Sequence, residues 1–169
     1  NPPYLGEKNN REIFEKIRLT EFGQKYYEGK MDYLYFFIEK GIELLKKDGV
    51  LSYITTNYWL RADGANKLRE AIKENTYFYY INNINKSVFK DALGQHNMIF
   101  TLTKDKINEF DLVINEEKIK VKNNKIFDSN NKISLMNQDD YEFCEKLKKK
   151  AQFLLGEEFN INQGIVSGC

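Results

Sequence analysis

Proline, histidine and cysteine are nearly absent from this chain. Its 169 residues hold two prolines, one histidine and two cysteines. The cysteines, Cys144 and Cys169, stand well apart and the histidine is His96, so no Cys/His set has metal-ligand spacing and no disulfide framework beyond one bridge can form. Nothing local supports a Cys–His nucleophile, and reduced thiols in a cytoplasmic protein are the plainer reading. No apolar run approaches the length of a membrane span, and the first residues are neither basic nor apolar enough for a signal peptide. An excess of either charge is missing too. Lys+Arg number 26 against Asp+Glu 25, a net charge of +1, whereas a domain that grips polyanions by bulk charge is strongly basic. What remains is ordinary: 41% hydrophobic and 30% charged residues, in a length that suits about one domain with roughly two-thirds of its surface buried on folding.

The chain starts at Asn1, not Met, and reads as a segment of a longer polypeptide. Residues 5 to 30 are polar and weakly periodic, with one short helix near Glu12 to Leu19; they suit either a substrate loop or a cover for a sheet. From Met31 the pattern sharpens. Leu34, Phe37, Ile38, Gly41, Ile42 and Leu45 predict an amphipathic helix of about four turns, with Lys46 and Lys47 at its negative end and Asp48-Gly49 stopping it. Val50 to Thr56 reads as a mostly buried strand, and a helix followed so closely by such a strand is half of a parallel αβ unit. The cycle repeats with a helix opened at Asp63 or Gly64 and a strand from Tyr77 to Ile84. Met98 to Leu102, with no intervening helix, predicts an antiparallel partner for that strand. Beyond Lys104 come short strands at Phe110 to Asn115, Lys118 to Lys122 and Lys125 to Asp128. Lys118, Lys120 and Lys122 share one face, better read as a solvated edge than as a phosphate ribbon. A helix from Gln138 to Ala151 closes the pattern, with Tyr141, Cys144, Leu147 and Ala151 near one stripe.

The two prolines are adjacent, in Asn1-Pro2-Pro3-Tyr4. They fix φ at successive residues and remove two N–H groups, so the stretch is stiff and presents carbonyls without competing donors. A side-chain amide oxygen next to such a carbonyl makes a pair of acceptors, and an aromatic ring stands three residues on. That set suits a planar conjugated amine, its two N–H groups on the acceptors and its π-face on the ring. Held so, the nitrogen gains nucleophilicity, and the acceptors stabilise the positive charge that develops as it attacks. No metal, shifted base or covalent cysteine is needed. A proline turn ending a loop is the other reading of these four residues.

Asn1-Pro2-Pro3-Tyr4 resembles the catalytic motif of the S-adenosylmethionine-dependent amino-methyltransferases, above all the adenine-specific DNA methyltransferases of restriction–modification systems. The stretch from Met31 to Leu60 is similar to that family's next blocks through Asp32, Gly49 and Asn57, with Thr56 where the family usually has proline. Ser87 to Ala92 followed by Asn97 to Leu102 resembles a late block whose aromatic residue packs near the target base. Leu154-Leu155-Gly156 through Ile161 to Gly168 resembles the entry to a target-recognition domain, with Ser167 where threonine is common.

The resemblance implies an α/β fold, the second half of a Rossmann-like methyltransferase sheet with parallel strands, an antiparallel hairpin and flanking helices, plus a small β-rich and helical extension. It divides the chain into a catalytic half-domain (1–104), an extension (105–152) and the entry to target recognition (153–169). It puts amine binding on Asn1 and Pro2, base stacking on Tyr4, and substrate contacts on Phe89 and Asn57. A plug beneath a loop is the other reading of Phe89, and a turn after a strand that of Asn57. The implied cofactor is S-adenosylmethionine and the implied partner is double-stranded DNA with a flipped adenine, alongside fused nuclease and recognition domains in the full protein; no membrane and no metal are expected. The family's glycine-rich cofactor loop and its acidic ribose ligand precede this motif and are not in this sequence. Gly23 and Gly29 have the wrong spacing and no preceding strand. Cofactor-binding residues are therefore unassigned, and these residues alone are expected to be inactive. Methylation of release-factor glutamine or RNA guanine, and a non-catalytic binding module, are the competing expectations.

Overall fold

The computed structural model describes residues 2–89 and 96–162. Asn1, Asp91, Ala92 and the Gly164–Gly168 stretch lie outside the described residues, as does Cys169. The chain divides into two compact units, Asn1–Leu135 and Met136–Cys169.

The first unit begins with short helices α1 (Arg11–Arg18) and α2 (Glu21–Tyr26). Phe14 is the buried residue of α1, and its ring meets those of Phe36 and Tyr33 at 5.9 and 6.3 Å. Thr20 caps α2 by accepting the N–H of Gly23 at 3.0 Å, the usual use of a short hydroxyl at a helix start. Then follows α3 (Tyr33–Leu44), capped by Asp32, whose Oδ1 accepts the N–H of Leu34 at 2.9 Å. The helix ends at Leu44, short of the predicted end at Lys46 and Lys47, because Leu45 is already extended, and Asp48 takes a left-handed φ of 63° to turn the chain.

The sheet consists of β1 (Val50–Thr56), β2 (Tyr77–Asn83), β3 (Asn97–Thr103), β4 (Glu109–Ile114) and β5 (Glu117–Lys122). Their order is β1-β3-β2-β4-β5. Strands β1 and β2 run the same way, joined through α4 (Asn66–Asn75), with β3 inserted antiparallel to both. The expected β2–β3 pairing is present. Strand β4 pairs parallel to β2, and β5 closes an antiparallel ribbon with β4. Two of its three face lysines are engaged: Lys118 and Lys120 both pair with Asp111, at 2.8 and 2.5 Å.

Two local expectations need correction. Strand β1 is buried only at Thr55 and Thr56 and open at Val50, since among the described residues β3 is its only partner. Lys125 to Asp128 is not a strand. A 3₁₀ turn occupies Asn123–Lys125, followed by a single bridge between Phe127 and Ile133, because Asn123 is held by the backbone of Phe78 and cannot extend the ribbon.

Helix α3 packs on the sheet through Gly41. A Cβ there would stand 2.9 Å from the Leu51 side chain and from the Tyr53 hydroxyl, which itself donates to the Phe37 carbonyl at 2.9 Å. The core joins Leu34, Ile38, Leu68, Ile81, Phe100 and Leu102, all fully buried. Arg69 is buried with them and donates to the carbonyls of Trp59, Ala62 and Asn131 at 2.9, 2.7 and 2.7 Å. Those bonds let a guanidinium persist in an apolar layer.

The second unit carries α5 (Gln138–Lys150) and the one-turn α6 (Leu155–Glu158). Asn137 caps α5, accepting the N–H of Asp140 at 2.8 Å, and acidic and basic residues sit at the ends that suit the helix dipole. None of its described residues is buried.

Candidate active site

In an open sheet of this kind, ligands bind beyond the carboxyl ends of the strands. At that rim β1 ends in Thr56, β2 ends in Asn83, and the reversed β3 begins at Asn97. Asn57, the first residue beyond β1, donates its backbone N–H to the His96 carbonyl at 2.9 Å. Its side-chain Nδ2 donates to Asn83 Oδ1 at 3.0 Å. A short 3₁₀ turn starts after it, but its side chain makes no capping bond there, so the amide is turned to the rim and not to the helix it precedes.

Asn97 organises the loop that carries Phe89. It is fully buried; its Oδ1 accepts the N–H of Val88 at 3.1 Å, and its backbone bonds Asn85 and Lys86 at 3.1 and 3.2 Å. Asn85 takes a left-handed φ of 53°, which asparagine tolerates better than most residues. Phe89, half-buried, has its carbonyl bonded by the Ser87 hydroxyl at 3.0 Å. His96 Nδ1 lies 3.0 Å from the Asn85 carbonyl. Asn57 and Phe89 thus belong to one asparagine network. The family resemblance pointed to Asn57 and Phe89 but gave no role to Asn83 and Asn97, although the asparagines flanking both strands were a usable signal.

A second cluster surrounds the stretch after Asn1. Pro2 is buried and Tyr4 packs against the core. The next residues are pinned to the start of α3: Gly6 bridges Asp32, Tyr33 N–H donates to the Leu5 carbonyl, and Glu7 N–H donates to the Met31 carbonyl, both at 2.9 Å. The Asp32 carboxylate accepts from Leu34 and Leu5 backbone N–H groups. Burial nevertheless pushes its carboxyl above the ordinary range. Burial, then the negative charge of Asp32, pushes the Tyr4 phenol up as well. Tyr4 is therefore a neutral ring over the working pH range. Asp32, noticed in sequence only as part of a block, anchors the segment that carries Pro2 and Tyr4.

Among the described residues, no group of three or more His, Cys, Asp or Glu side chains is placed to hold a metal ion, and no helix is long and apolar enough to cross a membrane.

A family model described as Eco57I restriction-modification methylase matches residues 1–89. The chain is 29% identical over 113 residues to the type II restriction enzyme and methyltransferase RM.Eco57I of Escherichia coli, covering 65% of this chain and 11% of that protein. It is 32% identical over 107 residues to the type II methyltransferase M.HincII of Haemophilus influenzae, covering 63% of this chain and 21% of that protein. The chain thus spans a small part of the length of these relatives. Its fold is similar to that of the type IIL restriction-modification enzyme MmeI, solved in complex with DNA, at a TM-score of 0.52 and 12% identity over 72% of this chain and 18% of that one. The α/β class read from the sequence, the second half of a Rossmann-like methyltransferase sheet, is the fold found.

Proposed function

Because the chain belongs to the Eco57I restriction-modification methylase family, we propose that the whole protein transfers a methyl group to the exocyclic amine of an adenine in double-stranded DNA. The amine of a stacked, paired base is out of reach, so the base is flipped from the duplex first. Asn1 and Pro2 carry the recognition: the Asn1 side-chain oxygen and the Pro2 carbonyl accept the two amine hydrogens and hold them where the nitrogen lone pair is localised. Tyr4 stacks on the base, Phe89 packs on its other side, and Asn57 offers an amide from the rim. No proton acceptor with a shifted pKa is needed before attack, since the amine becomes cationic only as the new bond forms.

The methyl donor is S-adenosylmethionine, whose sulfonium supplies an electrophilic methyl group. The described residues hold no glycine-rich turn following a strand and no acidic side chain beyond such a turn, so no residue of this chain is assigned to the donor. The three-part division at residues 104 and 152 belongs to this proposal, as do a cytoplasmic location and nuclease and recognition domains elsewhere in the full protein.

The observation that supports the reading is the Asn1-Pro2-Pro3-Tyr4 sequence running directly into a segment, Leu5 to Glu7, that is pinned to the start of α3. In the full-length protein, Asn1→Ala should abolish methylation of duplex DNA while leaving most DNA binding intact. Retained methylation by this variant, or methylation of ribosomal RNA or release factor in preference to DNA, would overturn it.

A further inference from the structure

The segment between Tyr4 and α3 encloses a groove of about 460 Å³ that the methyl-transfer reading does not use. Its rim carries four cations, Lys8, Arg11, Arg18 and Lys30, against two carboxylates, Glu7 and Glu15. Glu7 is already committed inward, accepting from the Tyr27 hydroxyl at 2.5 Å and from the Met31 N–H at 3.2 Å. Arg18 lies over the Tyr27 ring, 5.9 Å from its centre. Lys8, Arg11 and Lys30 are exposed and form no ion pair or hydrogen bond among the described residues. Elsewhere Lys25, Lys40, Lys118, Lys120, Lys132 and Lys148 each take a carboxylate.

The backbone at Lys30 is fixed. Gly29 and Lys30 have φ of 86° and 54°, a left-handed pair in which lysine is uncommon. The turn is wedged against Gly64, where a Cβ would stand 2.2 Å from the Lys30 carbonyl oxygen. Close packing therefore fixes the point and direction at which the Lys30 side chain leaves the backbone. The groove also lies close to the proposed base site. Glu7, on its wall, is three residues beyond Tyr4, at most about 10 Å of chain.

We infer that this groove grips phosphates of the DNA strand next to the nucleotide held over Tyr4, with Arg11 as a two-pronged phosphate donor and Lys8 and Lys30 as point charges. The inference rests on the DNA reading above and adds to it a backbone contact that carries no sequence information.

The test uses the full-length enzyme with a Lys8→Gln/Arg11→Gln/Lys30→Gln substitution, beside a Lys118→Gln/Lys120→Gln control on the β5 edge. Affinity for cognate and unrelated duplexes is measured across a salt series. The groove variant should weaken binding roughly fivefold per lost contact near 0.15 M salt, equally for both duplexes, with a log–log salt slope shallower by about 2–3. The control should leave the slope unchanged. A groove variant with an unchanged slope, or one that weakens only the cognate duplex, would overturn the inference while methylation by the parent enzyme stands. A parent enzyme that does not methylate DNA would remove both readings.

Discussion

Two asparagines, Asn123 and Asn57, close opposite ends of the same sheet and use the same amide differently. Asn123, after β5, accepts the Phe78 N–H at 2.9 Å and donates to the carbonyls of Phe78 and Ile107 at 2.9 and 3.0 Å. Both hydrogens and one lone pair are bound to backbone, so the side chain is a clasp with no donor left to offer. Asn57, after β1, makes one side-chain bond among the described residues, from Nδ2 to Asn83, and its side-chain oxygen Oδ1 accepts none there. A polar group with free capacity at the carboxyl rim can serve a ligand, whereas one with no free donor at the far end serves the fold.

The largest effect should come from Asn123→Ala. It leaves three backbone groups without their partner and should cost about 3 kcal/mol in chemical denaturation; a loss as small as that of an exposed surface change would break the contrast. Glu39 sharpens it from another side. Its carboxylate is buried with neither oxygen hydrogen-bonded, and burial, then the charge of Glu28, pushes its carboxyl up to about 9. The folded carboxyl holds a proton that the unfolded one releases, so its contribution to stability falls as pH rises from about 4.5 towards about 9. Glu39→Gln should remove that slope and stabilise by about 2–3 kcal/mol at pH 7. An unbonded polar group away from the rim is then a liability, not a site; a pH-independent unfolding profile in the parent protein would contradict this. The smallest stability effect belongs to Asn57→Ala, below about 1 kcal/mol because the residue is half-exposed with one side-chain bond. Methylation by the full-length enzyme should nonetheless drop, and a variant that unfolds as readily as Asn123→Ala would erase the distinction.

Much of the sheet was legible because its strands are dense in β-branched and aromatic residues between polar turns. The reading placed β1 at Val50 to Thr56, where it stands, and the antiparallel β2–β3 pairing followed from the missing helix. Helix α2 escaped notice because its six residues bury only Gly23 and Tyr26, too few to make a period. The spurious strand at Lys125 to Asp128 had the right composition, but the tertiary bonds of Asn123 overrode it. In the candidate site, Pro2 and Tyr4 were readable because adjacent prolines are chemically distinctive. Asn83 and Asn97 were not, since an asparagine's use depends on which strands lie beside it. The apolar spacing of α5 was equally clear, yet Phe143 and Leu147 stay exposed: periodicity tells which face a helix offers, not whether anything meets it.

The reversed strand β3 has a consequence in time as well as in space. Strands β1 and β2 are not neighbours; they are joined side to side only through β3, which lies between them and follows both in the chain. The Asn57–Asn83 bond spans the start of that strand, so it cannot settle until β3 has entered the slot between them. Contacts so distant in sequence are the slow ones to form. The rim that would receive a base is therefore the keystone of this sheet, set after the stones on either side.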